Sequence, residues 1–202
     1  LSREDNELIT RTDRGTPMGE LLRRYWLPAL LSGELPVPDC TPVSLKLLGE
    51  RLVAFRDTEG RTGILGAYCP HRGTNLFWGR NEESGLRCVY HGWKFDVDGQ
   101  CVDMPSEPAG SNFRDKMHTT AYPTQERGGV IWTYMGPREV LSPLPDIEPN
   151  MMGGATTWLA MRECNWVQAL EGDIDTTHLG FLHLGGAPAA ILEPGSFNYY
   201  TA

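Results

Sequence analysis

The sequence has little of what marks a nucleic-acid or membrane protein. There is no run of lysine or arginine, and the formal net charge of −8 at pH 7 argues against nucleic acid as the main partner. No stretch approaches the roughly 18 uninterrupted apolar residues of a membrane span. The first twenty residues are highly charged and lack the apolar core of a secretory signal. The chain therefore reads as soluble and cytoplasmic, with no membrane partner. Histidine is scarce at five residues, and the five cysteines (40, 69, 88, 101 and 164) are an odd number. In a reducing compartment such cysteines pair as metal ligands more readily than as disulfides. Low-complexity linkers and internal repeats are also missing. What is present, 40% hydrophobic residues over 202 positions, suffices for one substantial core or two modest ones. Both ends, Leu1 and the closing SFNYYTA, read as limits within a longer globular sequence.

Three parts are expected: an N-terminal helical segment over 1–35, a strand-rich domain over 36–145, and the beginning of a further domain over 146–202. In the first, Thr16 can cap a helix with Pro17 at its first position. Met18, Leu21, Leu22 and Tyr25 then share one face until Pro28 stops it. In the second, VSLKLLG and RLVAFRD flank a Gly49-Glu50 turn and TGILGAY follows. WKFDV and QCVDM flank Asp98-Gly99, a strong hairpin signal, and VIWTYMG is a further buried strand. Short strands at this spacing suggest a small antiparallel β domain. The proline-rich SPLPDIEP (142–149) is the candidate boundary. Beyond it a strand-like TTWLAMRE precedes a helical NWVQALEGDIDTTH.

The chemistry begins with Cys69-Pro70-His71-Arg72-Gly73 and Cys88-Val89-Tyr90-His91-Gly92-Trp93, a C-x-H-x16-C-x2-H pattern. Each short loop offers one thiolate and one imidazole, and Pro70, Gly73 and Gly92 allow the sharp bend that aims both at one centre. A [2Fe–2S] cluster with two Cys on one iron and two His on the other needs this set, and its potential lies at about −150 to +300 mV. Such a cluster takes electrons from a flavin or ferredoxin singly. A structural zinc site is the alternative, although zinc motifs usually pair like ligands within each loop.

A second constellation runs from Asn165 to His183. On a helix, Asp175 and His178 share a face with Glu171 one turn earlier. His178 and His183 are five apart, so their convergence needs a distortion near Gly180. Two His and a carboxylate form the facial triad of non-haem Fe(II) oxygenases, which leaves positions open for O2. The plainer reading is an amphipathic helix with solvated His and acids. His118 is left over as an ordinary surface or loop histidine.

Together these motifs resemble the large (α) subunit of the Rieske non-haem iron aromatic-ring-hydroxylating oxygenases. The opening NELITRTDRGTPMGELLRRYWLPA, with NWVQALEGDIDTTHLGFLH and PGSFNYY, is most similar to the phthalate dioxygenase-like branch. The resemblance implies an α+β chain: a mainly antiparallel β Rieske domain (ISP-like), then the start of an α+β helix-grip catalytic domain. It implies a ring-hydroxylating dioxygenase acting with O2 on an aromatic, phthalate-like carboxylate substrate. Electrons from NAD(P)H would arrive through a flavin/iron–sulfur reductase. A homotrimer or stacked trimers are implied as well.

The resemblance also assigns roles. Cys69, His71, Cys88 and His91 hold the cluster. His178 and His183 bind a mononuclear Fe(II), and Asp175 links a cluster His of one chain to an iron-ligand His of the next. Trp93 packs beside the cluster or serves only the core, while Cys40, Cys101 and Cys164 are buried thiols without a role. The third iron ligand of the family, a later carboxylate, and most of the substrate pocket have no counterpart in these residues. A monooxygenase or demethylase of the same architecture, or a Rieske carrier that only moves electrons, are the other readings.

Overall fold

In a computed structural model the chain forms two compact units, Arg11–Leu159 and the combination of Leu1–Thr10 with Ala160–Ala202. Residues 1–108, 110–178 and 182 are described. The larger unit contains helix α2 (Pro17–Leu22) and strands β1 (Trp26–Leu31), β2 (Val43–Leu47), β3 (Glu50–Arg56), β4 (Thr62–Gly66), β5 (Arg80–Glu82), β6 (Gly85–Arg87), β7 (Lys94–Phe95), β8 (Cys101–Asp103), β9 (Ala121–Tyr122), β10 (Thr124–Arg127) and β11 (Val130–Tyr134), then helix α3 (Glu148–Met151). The smaller unit contains α1 (Arg3–Thr10) and α4 (Trp166–Ile174). Among the described residues no helix is long and apolar enough to cross a membrane.

The strands form three antiparallel sheets, in the orders β1-β11-β10, β2-β3-β4-β9 and β5-β6-β7-β8. The expected antiparallel β domain is therefore present. Alternation along β3 explains the stacking. Leu52 and Ala54 point into a core shared with Leu30, Ile64 and Ile131, whereas Val53 and Phe55 point into one shared with Leu65, Leu86 and Phe95. The middle sheet is thus covered on both faces, and each fully buried side chain of this kind contributes about 1.5–3 kcal/mol relative to exposure. Gly63 on β4 leaves room for the ring of its cross-strand partner Phe55, since a Cβ there would lie 2.7 Å from Cε1 of that ring.

Two-residue turns set the registers. Leu48 and Gly49, at φ 43° and 83°, join β2 to β3. Glu83 and Ser84 do the same between β5 and β6 at φ 49° and 57°, held by the Ser84 N–H donating to Thr58 Oγ1 at 2.8 Å. At Gly99, φ 79°, the chain turns from β7 to β8, and Asp96 Oδ1 accepts from the Asp98 and Gln100 N–H groups.

The N-terminal helix is shorter than its pattern predicts. Thr16 does cap it, accepting from the Gly19 N–H at 3.2 Å with Pro17 following, but α2 ends at Leu22. Trp26–Leu31, expected partly in that helix, is instead the edge strand β1 on β11. Pro28 is tolerated because it sits on an edge, next to a bulge. The helix stops where Arg23 turns inward, buried at 3% exposure, to meet Glu50 Oε1 at 2.6 Å and the Leu48 carbonyl at 3.1 Å. The proline-rich stretch, read as a boundary, packs on the first sheet: Leu144 is buried beside Trp26 and Tyr134, and the Ser142 carbonyl accepts from Trp26 Nε1 at 2.8 Å. The compact unit continues to Leu159.

Residues 156–163 form no strand, contrary to expectation, and Trp158, Leu159 and Met161 are exposed. Their apolar pattern finds no pairing partner among the described residues. In the smaller unit Asn165 caps α4, accepting from the Gln168 N–H at 3.1 Å, and Trp166 Nε1 donates to the Ile9 carbonyl at 2.9 Å.

Candidate metal centre

The two motif loops are built on one plan. In the first, the Cys69 N–H donates to the Thr74 carbonyl and the Gly73 N–H to the Cys69 carbonyl, both at 2.9 Å. In the second, the Cys88 N–H donates to the Trp93 carbonyl at 2.9 Å and the Gly92 N–H to the Cys88 carbonyl at 3.0 Å. In both, a glycine four residues after the cysteine takes a left-handed conformation, φ 70° at Gly73 and 76° at Gly92. The first loop leaves the end of β4 and closes by a bridge from Tyr68 to Asn75. The second joins β6 to β7. The loops thus reach the same place from the middle and third sheets, at the end of the core between them.

That origin sorts the donors by depth. Cys69 and Cys88 are free thiols at 2% and 3% exposure, within the cluster of Val53, Phe55, Leu76, Leu86 and Phe95. His71 is half-buried and His91 exposed, with ring centroids 4.4 Å apart. Trp93 stacks flat on His71, at 4.5 Å and 5°, and Tyr90 lies 3.9 Å from His91. Burial pushes the Cys69 thiol up to about 11, and the adjoining Cys88 adds to the rise. Desolvation lowers the pKa of His71, with His91 and Arg72 acting in the same direction. Nδ1 of His71 is buried and has no hydrogen-bond partner. A buried imidazole nitrogen without a partner is costly unless something coordinates it.

Two thiols on the core side and two imidazoles on the solvent side suit a pair of sulfide-bridged irons, with like ligands on each. Zinc needs all its donors around one ion. Among the described residues no three His, Cys, Asp or Glu side chains are grouped so as to hold a single metal ion. The donor set fits a [2Fe–2S] cluster.

Comparison with known proteins bears on the same residues. A family described as the Rieske [2Fe–2S] domain matches residues 25–125, a span that contains both loops. The chain belongs to the Rieske [2Fe–2S] domain family. Its cofactor is accordingly a [2Fe–2S] cluster. The Rieske chain is 52% identical over 188 residues to the 3-chlorobenzoate-3,4-dioxygenase oxygenase subunit of Comamonas testosteroni, covering 92% of this chain and 43% of that protein. It is 48% identical over 199 residues to the phthalate 4,5-dioxygenase oxygenase subunit of Pseudomonas putida, covering 94% and 45%. A crystal structure of dicamba monooxygenase bound to 3,6-dichlorosalicylic acid superposes with TM-score 0.67 at 27% identity, over 80% of this chain and 47% of that one. The chain thus spans less than half the length of these curated relatives.

The second constellation is described only in part. Helix α4 ends at Ile174, so Asp175 and His178 do not share a helical face. Asp175 Oδ1 instead accepts from the Thr177 N–H at 2.8 Å, the local side-chain bond by which Asp competes with helix continuation. Its Oδ2 meets His178 Nδ1 at 3.2 Å, and the Thr177 N–H and His178 hold the Asp175 carboxyl below its usual range. His183 lies outside the described residues. His118 is exposed, in an isolated bridge to Gln100. Of the thiols expected to be buried, Cys101 is, Cys40 is half-buried, and Cys164 is exposed, because its segment joins no sheet. Sequence reading passed over Arg87, immediately before Cys88. Its buried guanidinium donates to the Gly92 carbonyl at 2.8 Å, to Asp103 Oδ2 at 2.6 Å and to Glu82 Oε1 at 2.6 Å. The signal available was a cation beside a motif cysteine in an otherwise apolar strand.

Proposed function

We propose that this chain is the Rieske part, and the start of the catalytic part, of the oxygenase component of a ring-hydroxylating dioxygenase. Cys69 and Cys88 would bind one iron of the cluster, His71 and His91 the other. The observation that carries this reading is the pair of matched loops that sink two thiols into the core and leave Nδ1 of His71 buried without a partner. When bound, the cluster supplies electrons singly, and a mononuclear Fe(II) supplies the site of O2 activation.

The chain's own residues have distinct tasks. The apolar wall of Val53, Phe55, Leu76 and Phe95 keeps water from the thiolates, and Trp93 fixes the plane of His71. His178 and His183 would be ligands of the Fe(II), on residues 146–202 read as the beginning of the catalytic domain. Asp175, through its contact with His178, would orient that imidazole and link it to a cluster His of a neighbouring chain in a trimer. The likeness to phthalate and chlorobenzoate oxygenase subunits supports an aromatic carboxylate as substrate and a flavin/iron–sulfur reductase as electron donor fed by NAD(P)H. The five free thiols suit a reducing, cytoplasmic setting.

Low-temperature EPR of the reduced protein, with an iron count, tests the proposal. A low average g value, typical of His-ligated clusters, and two irons per chain are expected. A silent sample containing zinc would overturn it. The dicamba monooxygenase likeness favours a second reading, monooxygenation or demethylation on the same architecture. Labelled O2 separates the two by the number of oxygen atoms delivered to the product of a chain carrying its complete catalytic domain.

A further inference from the structure

The two ligand loops share a plan but differ in how they are braced. The first is closed from its own sides, by the Tyr68–Asn75 bridge and by Asn75 Oδ1 accepting from the Phe77 N–H at 3.0 Å. Nothing lies within 4 Å of where a Cβ on Gly73 would stand. The second loop is braced from behind. A Cβ on Gly92 would meet Pro105, with Nη1 of Arg87 at 4.0 Å. The guanidinium reaches across the base of the turn to the Gly92 carbonyl, between ligand His91 and Trp93.

Arg87 is itself fixed on three sides. Nε donates to Glu82 on β5, Nη1 to Asp103 on β8, and Nη2 lies 3.6 Å from Glu83 in the β5–β6 turn. One side chain therefore joins both outer strands of the third sheet to the tip of the ligand loop. Only a planar fork can do this, since a lysine ammonium cannot reach three directions from one fixed plane. Lys94 does not duplicate it: its Nζ is spent on Glu83, at 3.0 Å to the carboxylate and 3.1 Å to the carbonyl. Of the five charges here, the two cations Arg87 and Lys94 face the three carboxylates Glu82, Glu83 and Asp103, a net of −1.

We propose that Arg87 is the positioning residue of the Cys88–His91 ligand loop, locking the Gly92 turn and balancing the carboxylates behind the cluster. The inference rests on the cluster assignment above. It makes two separable contributions. The fork holds the loop shut, which governs how fast the cluster is lost. The charge opposes the carboxylates, which favours the reduced cluster, because reduction adds a negative charge.

Three forms of the protein separate these contributions: wild type, Arg87→Met and Arg87→Lys, each read for midpoint potential, EPR g values and cluster-release rate in chelator. Arg87→Met removes fork and charge. Its potential falls by about tenfold in the reduction equilibrium, about 59 mV for a one-electron couple, and its cluster is lost several-fold faster. Arg87→Lys keeps the charge and loses the fork, so release accelerates while the potential stays near that of wild type. Should Arg87→Met fail to fold, Arg87→Lys still tests the fork, and Asp103→Asn tests the charge by moving the potential upward. Unchanged potential, g values and release rate in the Arg87 variants, with a normal wild-type cluster, would refute the role of Arg87 alone. A wild type without a His-ligated signal would instead refute the cluster assignment beneath it.

Discussion

Gly73 and Gly92 occupy equivalent places in the two ligand loops, yet alanine should not affect them equally. Each has φ in the left-handed region, +70° and +76°, where a side chain costs about 1–2 kcal/mol. Restricting the unfolded chain returns about 0.4–1 kcal/mol. At Gly73 the new Cβ would meet nothing within 4 Å, so the net loss is the difference alone, about 0–1.5 kcal/mol. At Gly92 the Cβ would stand 3.1 Å from Cγ and 3.4 Å from Cδ of Pro105. A proline ring cannot rotate away, so overpacking adds about 1–3 kcal/mol. Gly92→Ala is therefore expected to be the more destabilising by at least about 1 kcal/mol, or about 2–4 °C in melting temperature for a unit of this size. Thermal unfolding by circular dichroism, on cluster-free and cluster-loaded protein, reads the difference. Gly73→Asn serves as control, because asparagine tolerates the left-handed region better than alanine. Equal losses at the two positions, or an asparagine no better than alanine, would refute the reasoning.

Three other outcomes are expected. Trp93→Leu removes the flat stack on His71 and leaves a void, costing about 2–4 kcal/mol and broadening the EPR spectrum of the loaded protein; a narrow, wild-type spectrum would show that the ring is held without Trp93. Glu50 is pushed up by burial, but hydrogen bonds from Tyr122 and Arg23 outweigh this and hold its folded pKa below the ordinary 4.5. A depressed carboxyl contributes stability that is present above the unfolded value and lost as pH falls through the folded one. Denaturant titrations should accordingly find Glu50→Gln weaker than wild type near pH 7, and the gap closing in acid below about pH 4.5. Thr16→Ala removes the acceptor for the Gly19 N–H and should lower stability by about 1 kcal/mol, without altering cluster content.

What was legible in the sequence is what local chemistry determines. The Asp98-Gly99 and Gly49 turns, the apolar runs of β3 and β4, the Thr16-Pro17 helix start and the C-x-H and C-x2-H loops follow from residue type and short spacing. Tertiary pairing hid the rest. The helical pattern of Met18, Leu21, Leu22 and Tyr25 predicts a helix up to Pro28, but from Trp26 the chain pairs with β11 as a strand. The Glu83-Ser84 turn carries no glycine, and its left-handed residues are held by Thr58, 26 positions away from Ser84. TTWLAMRE has strand composition and no partner among the described residues. At Asp175 the carboxylate captures the Thr177 N–H and ends the helix one turn before the pattern does. Arg87 was overlooked because its three carboxylate partners and one carbonyl meet only in the folded sheet.

The depth of the cysteines follows from the core between the middle and third sheets. The middle sheet must be apolar on both faces to be sandwiched, and that requirement puts Val53, Phe55 and Leu65 directly beneath both loops. Cys69, three residues past β4, and Cys88, immediately after β6, then share the dryness of the core. Their histidine partners, two and three residues farther along bent loops, are carried outward to half-buried and exposed positions. If these side chains hold the cluster as proposed, its solvent-facing side is the His91 and Tyr90 edge, while both thiols lie in the core behind it.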